Sequence, residues 1–577
     1  PPKQMRWSII IYGLIASGYQ IKSKANGRYL TASEDGTSPV SLSESRQNFD
    51  LQIWKIVGVD AYRELQSVRF DDIALNVDEK KNASIKAFPS NADFSQKSDF
   101  TYTIVSGGDC VSCTQTNRFK GEKTGTARVK AVHKTTGKIG YFNVKVNKNA
   151  IIVIPGIFGS ELYVRGNNPY LKGGTALINQ EMINTLEQLN SDVPLATKIA
   201  LIGAIVLNPS MYSTVQSFVN DYYDLLQCND DGTSKYDVYT KEYVYVKPTE
   251  ESGKMVYRLP EGYDSSKYSP HAGLLDNYYD LVDSLHSDPT ISARYAIEFF
   301  SYDWRLSTSA ERLNAFINER GYDKVVLVAH SMGGLVASGY MAMGTKQLNK
   351  VQKVYMLSSP LEGTPEVINV WSNIDFSSLS GSVWKDYILI LNSLLALMTV
   401  TYNPIQKLFS NYQSVYELFP TKNYLALSPT PYLTDYVSAN GVKETDCTDY
   451  TSSMKVLSEC LPDFSSALME KAEAFHASCR INNKHISYAV SCDYLYSTGT
   501  ATNTQMRHFT ILSEYPHPHG IEIKTTVTTG DGLVPDWSAT LGRSGSNVTA
   551  FSPHGHMYVA METVPIDHLV SRLQSLR

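Results

Sequence analysis

The stretch Val325-Val326-Leu327-Val328-Ala329-His330-Ser331-Met332-Gly333-Gly334 constrains the fold of this chain more than any other. Four β-favouring apolar residues run into a corner of small residues, and Leu335-Val336-Ala337 then opens a helical pattern. Strand, sharp turn bearing Ser331, then helix is the order of a nucleophile elbow. Small residues two before and two after the serine let strand and helix pass closely, and here they are Ala329 and Gly333. The usual pattern has glycine at both places, so Ala329 departs from it by one methyl group. The serine hydroxyl is expected to stand clear of a sheet, above the positive end of the new helix.

An α/β pattern begins at Ala150. Ile151-Ile152-Val153-Ile154 has the composition of a fully buried strand. It ends in Pro155-Gly156-Ile157-Phe158-Gly159-Ser160-Glu161-Leu162. In a serine acyl hydrolase a turn after an early strand supplies one backbone N–H of the oxyanion hole, and the residue after the nucleophile supplies the other. Ile157 and Met332 occupy those positions. A serine also needs a base to take its proton and an acid to orient that base, in the chain order Ser, Asp/Glu, His. No cofactor and no metal enters this chemistry.

Several separated phrases carry a resemblance. They are Val153-Ile154-Pro155-Gly156 with Gly159-Ser160 and Leu162; Tyr302-Asp303-Trp304-Arg305; Ser358-Ser359-Pro360-Leu361-Glu362-Gly363-Thr364-Pro365; and Val415-Tyr416-Glu417-Leu418-Phe419-Pro420. Together they resemble the lecithin:cholesterol acyltransferase family, over roughly residues 150–577. The resemblance implies an α/β-hydrolase fold, a doubly wound sheet with cap insertions. It further implies a lipid ester as substrate, with hydrolysis or O-acyl transfer as the reaction. Asp303 and Arg305 are expected to form a structural ion pair or turn lock rather than to act as catalytic groups. The phrase Gly530-Asp531-Gly532 with Val534-Pro535 is similar to the family's acidic turn and makes Asp531 the expected acid, with Asp536 as runner-up. Two histidines follow the last expected strand, Asn547–Phe551. His554 fits the family's His-x-x-Met spacing, whereas His556 has the family's distance to the closing helix. His556 is the expected base and His554 the alternative.

The long insertions 163–295 and 366–520 exceed ordinary loops and are expected to form caps. Within them Lys198–Asn208 and Tyr387–Val400 are nearly apolar, as a buried cap helix or an acyl-chain wall meeting a lipid surface would be. Neither reaches the ~18–20 apolar residues of a membrane span.

Upstream the pattern differs. Trp7-Ser8-Ile9-Ile10, Trp54-Lys55-Ile56-Val57 and Tyr102-Thr103-Ile104-Val105 recur at spacings of 47 and 48 residues. Recurrence at such a period signals repeated supersecondary units sharing one core. This resembles the ricin-type β-trefoil, here over 1–105 and expected to be truncated at its N-terminus. Whether that resemblance extends to carbohydrate binding stays open, with Asp50 and Asn76 as the polar residues on offer; the alternative to an enzyme is a glycan-binding surface protein whose α/β part is a non-catalytic scaffold. Residues 106–148 read as two alternating strands around a turn and look like part of a bacterial Ig-like domain, a spacer too short for a complete sandwich. The catalytic domain is then 149–577.

A net charge of −5 leaves no general basic surface, so no nucleic-acid partner is expected. The 38 tyrosines and many Ser, Thr and Asn suit an extracellular or cell-surface protein. Seven cysteines are too few for a disulfide scaffold, although four of them within 447–492 leave room for one or two bridges.

Overall fold

A computed structural model of the chain describes residues 65–88, 99–164, 225–373 and 404–576, apart from 66, 116, 252–253, 274–275, 308, 440 and 513–518. It also describes five short strands outside those ranges, at 7–9, 21–23, 29–31, 41–43 and 176–178. The chain divides into two compact units, Pro1–Leu75 with Glu79–Val146, and Asn76–Asp78 with Asn147–Arg577.

In the first unit four three-residue strands form a consecutive antiparallel sheet (Trp7–Ile9, Ile21–Ser23, Tyr29–Thr31, Ser41–Ser43). The Trp54 phrase and Asp50 lie outside the described residues. The expected boundary at 105/106 needs correction, because it cuts strand Phe100–Ser106, which pairs antiparallel with Gly125–His133. That strand pairs in turn with Ile139–Val146, and Val144–Val146 pair in parallel with Ile73–Leu75. Packing explains the larger unit. Ala127, Val129, Ala131, Phe142 and Val144 all point inward and are fully buried. The segment 106–148 cannot cover that face by itself. Phe70 from upstream stacks on Phe142 at 5.1 Å, and Phe119 meets Phe142 edge-on at 5.4 Å. Tyr102, the aromatic residue of the third recurring phrase, packs edge-on against Phe119 at 5.5 Å within the same core.

The second unit is built on six parallel strands: β1 (Asn149–Ile154), β2 (Ala296–Phe299), β3 (Lys324–His330), β4 (Val351–Leu357), β5 (Cys492–Ser497) and β6 (Val548–Phe551). Their spatial order is β2-β1-β3-β4-β5-β6, every neighbouring pair parallel. Alternation along the strands divides the core in two. Ile151, Val153, Val326, Val328 and Leu357 face one side, against helices α1 (Tyr279–Ser287) and α4 (Thr563–Gln574). Ile152, Ile154, Leu327, Ala329 and Met356 face the other, against α2 (Ala310–Glu319) and α3 (Gly333–Ala342). Both faces are covered, which is why these strands read as continuous apolar runs rather than alternating ones. The chain passes from β1 outward to β2 and then back across β1 to β3. That reversal opens a crevice beyond the carboxyl ends of β1 and β3, the place where open α/β sheets bind ligands.

The described parts of the insertions include a second sheet of order Gly441–Asp446, Leu433–Ala439, Thr502–Ile511, His519–Val527. Its last two strands form a hairpin that leaves the sheet just after β5 and returns at Asp531, where a parallel bridge joins Thr500 to Asp531. Lys198–Asn208 and Tyr387–Val400 lie outside the described residues. No described helix is long and apolar enough to cross a membrane. All seven cysteines are free thiols, so the bridges considered for 447–492 are not formed; Cys447, Cys460, Cys479 and Cys492 are buried in the apolar core.

Candidate active site

β3 delivers Ser331 to the crevice. The β3–β4 ladder continues one residue into the turn, with the Ser331 N–H donating to Leu357 O at 2.9 Å. Ser331 itself takes φ +54°, the left-handed region that a non-glycine residue occupies only when its surroundings enforce it. α3 follows at once, with Met332 as its N-cap residue. Glycine is obligatory at two contact points. A Cβ on Gly333 would stand 2.3 Å from Ile154 O, and one on Gly156 would stand 2.7 Å from Ser331 Cβ. The methyl of Ala329, where the usual pattern has glycine, is accommodated within the core.

The turn after β1 is held by the Tyr302–Arg305 phrase. Tyr302 Oη donates to Pro155 O at 2.8 Å, and Trp304 Nε1 donates to Ser160 O at 3.1 Å. The Trp304 ring also meets Phe158 edge-on at 4.5 Å. Arg305 is fully buried and its side chain binds Asp303 through two bonds, Nε to Oδ1 at 3.0 Å and Nη2 to Oδ2 at 2.7 Å, with its backbone N–H also donating to Oδ1 at 3.1 Å. Its remaining donors reach Leu226 O and Ser234 Oγ. The pair therefore locks the turn and the adjoining insertion together. Among the described residues, the amides of Ile157 and Met332, the two expected oxyanion donors, make no hydrogen bond.

Asp531 is 1% exposed and divides its two oxygens between two tasks. Oδ1 accepts the backbone N–H groups of Leu533 (3.0 Å) and Val534 (2.8 Å), while Oδ2 lies 2.8 Å from His556 Nδ1. His556 Nε2 is 2.9 Å from Ser331 Oγ, so one ring bridges the carboxylate and the hydroxyl. The base of the hairpin fixes Asp531: Gly532 N–H donates to Thr502 Oγ1 at 2.8 Å, beside the Thr500 bridge. His554, the alternative base, is turned away and stacks on Tyr558 with centroids 3.4 Å apart. Asp536, the runner-up acid, accepts from Thr498 Oγ1 at 2.9 Å, and its buried Oδ1 has no partner among the described residues. Burial, with a smaller push from the charge of Asp531, raises its carboxyl to about 6 despite the Thr498 bond. Asn76, offered in sequence for a glycan, is occupied internally, accepting from the side-chain amides of Asn147 and Asn149.

One contributor escaped the sequence reading. Tyr278, at the start of α1, has its hydroxyl 3.0 Å from the Gly156 amide and 2.9 Å from His330 Nδ1. It belongs to no recognisable phrase, and the many tyrosines of this chain hide it.

Residues 290–425 match the family described as a PGAP1-like alpha/beta domain, a span that carries β2, β3, β4 and the elbow. Together with the parallel order of the sheet, this match supports an α/β-hydrolase fold for the second unit. Solved structures similar to the chain include a mature lipase from Bacillus licheniformis, at 13% identity and TM-score 0.22, covering 51% of this chain and 86% of that one. Another is a pyrethroid hydrolase from Sphingobium faniae, at 12% identity and TM-score 0.21, covering 51% of this chain and 91% of that one. Likeness at such scores carries no argument about what this chain acts on. No curated protein sequence matches the chain.

Proposed function

We propose that the second unit hydrolyses carboxylic esters of lipids through an acyl-enzyme on Ser331. The observation that carries this reading is the continuous array from Ser331 Oγ through His556 to Asp531, at 2.9 and 2.8 Å, beside two amides that make no hydrogen bond among the described residues. In the proposed reaction Ser331 Oγ attacks the ester carbonyl as His556 Nε2 accepts its proton. Asp531 keeps Nδ1–H pointed at itself and stabilises the imidazolium that forms. The Ile157 and Met332 amides receive the charge that develops on the carbonyl oxygen, where each such donor is typically worth ~10²–10³ in rate. His556 then returns the proton to the leaving alcohol. Water, deprotonated by the same ring, releases the acid and restores Ser331.

The lipid class of the substrate rests on the sequence resemblance and on the apolar stretches Lys198–Asn208 and Tyr387–Val400. An acceptor alcohol in place of water would make the enzyme an O-acyltransferase with the same residues, so transfer belongs to the same proposal as its alternative outcome. The test is a series of p-nitrophenyl and glyceryl esters of increasing chain length, given to the wild type and to Ser331→Ala. Ser331-dependent turnover that rises with chain length supports the reading. Turnover undiminished in Ser331→Ala, with no fluorophosphonate label on the wild-type serine, overturns it. Adding a long-chain alcohol and measuring ester against free acid separates transfer from hydrolysis.

A further inference from the structure

His330 precedes the nucleophile but does not face the substrate side of the array. Its ring is 1% exposed, with centroid 5.0 Å from that of His556. Both ring nitrogens are occupied. Nδ1 lies 2.9 Å from Tyr278 Oη, and Nε2 lies 3.3 Å from the backbone carbonyl oxygen of His556. The Gly156 N–H donates to Tyr278 Oη at 3.0 Å. The partners set the direction of each hydrogen bond. A carbonyl oxygen can only accept, so the single proton of the neutral His330 ring sits on Nε2 and is donated to His556 O. Nδ1 then carries no proton and accepts from the Tyr278 hydroxyl, whose oxygen accepts the Gly156 N–H. Burial holds the His330 ring well below the ordinary histidine range, and the neighbouring His556 pushes it the same way. Neutrality has a use: a cation at this place would oppose the positive charge that His556 takes up in the reaction proposed above.

Resting on that reading of Ser331, we propose that Tyr278 and His330 are positioning residues, a neutral relay that sets the oxyanion turn and the general base relative to the nucleophile between them. Three loops from distant parts of the chain meet on it: the turn after β1 at Gly156, the elbow at His330, and the loop after β6 at His556. The relay touches neither substrate nor reacting atoms. It acts by fixing the backbone from which the His556 ring reaches Ser331 Oγ, and by fixing the peptide that precedes the Ile157 amide. Displacement of such groups by about 1 Å can cost ~10²-fold in rate without loss of substrate binding.

The experiment compares His330→Leu, His330→Gln and Tyr278→Phe with the wild type and Ser331→Ala, on one soluble ester. Glutamine keeps a side-chain N–H that can reach the His556 carbonyl, whereas leucine keeps none. The expected result is a kcat lower by ~10²-fold in His330→Leu with KM within about threefold of wild type, and at least ~10-fold of that loss recovered in His330→Gln. Tyr278→Phe, which removes one oxygen atom and is the variant to rely on if His330→Leu fails to fold, should lower kcat by ~10-fold and be non-additive with His330→Gln. Equal kcat in the leucine and glutamine variants, an effect on KM instead of kcat, or an unchanged Tyr278→Phe overturns the positioning role. Wild-type turnover that persists in Ser331→Ala overturns the underlying function, and the relay with it.

Discussion

Replacing Asp531 by Asn tests the site at the point where the structure makes the sharpest statement. The two side chains have the same shape, but only one of the asparagine's two ends can accept a hydrogen bond. Asp531 Oδ1 already receives two buried backbone N–H groups, from Leu533 and Val534. Turning an NH2 group toward them would lose both bonds, at about 1–3 kcal/mol for each buried donor left unmade. The asparagine oxygen must therefore stay on those amides, and its nitrogen falls against His556 Nδ1, 2.8 Å from the carboxylate oxygen it replaces. A donor there forces Nδ1 to accept, so the ring carries its hydrogen on Nε2. That nitrogen then faces Ser331 Oγ unable to take a proton. The expected loss in kcat is ~10⁴-fold, equivalent to about 5 kcal/mol of barrier, with KM and melting temperature close to wild type. Steady-state hydrolysis of a soluble p-nitrophenyl ester measures it, with the rate of fluorophosphonate labelling as a second readout. An asparagine variant within about tenfold of wild type would refute the tautomer argument.

Other substitutions extend the test. His556→Ala should lower kcat by ~10⁴–10⁶-fold, while His554→Ala, which removes a ring stacked on Tyr558, should stay within about threefold in the same assay; the reverse pattern would reassign the base. Arg305→Met strands the Asp303 carboxylate in a buried site and should cost about 3–5 kcal/mol in a urea melt, with Asp303→Asn in the same chain restoring part of it. Asp536 gains its proton more readily folded than unfolded, since its carboxyl is raised from 3.8 to about 6. Ionising it thus removes stability as pH rises through that window, and the cost is complete above it. Asp536→Asn should raise the melting temperature at roughly pH 8, with the gain fading as pH falls through 6 and gone by about pH 4. An equal gain at both ends of that range would count against the charge as its cause.

Local signals made the elbow legible before any coordinates. β3, the turn and α3 are contiguous, and each step carries its own residue preference. The Tyr302–Arg305 phrase was equally visible, and its Asp303–Arg305 pair was expected and is formed, yet the task of its two aromatic residues was not legible. That Trp304 and Tyr302 pin the carbonyls of Ser160 and Pro155 depends on a contact across more than 140 residues. His554 and His556 could not be separated by residue type, because both sit in one short loop beyond β6, and only the path of that loop decides which ring turns inward. The first unit was divided in the wrong place for a related reason. Alternation in Gly125–His133 and Ile139–Val146 identifies strands but not their partners, and Ile73–Leu75 joins that sheet from far upstream. Tyr278 had no local signature, since what distinguishes it from other tyrosines is the pair of atoms its hydroxyl meets.

The hairpin Thr502–Val527 stands between β5 and the acid of the proposed array, and it is tied off at its root by the Thr500–Asp531 bridge and the Thr502 hydroxyl. The carboxylate is thereby fixed by contacts at that root rather than by the strands beyond it. Those strands answer to other neighbours, since Met506–Ile511 pair in parallel with Leu433–Ser438. One short joint thus serves two structures, an accessory sheet and the acid of the array, and a change at the joint would be felt by both.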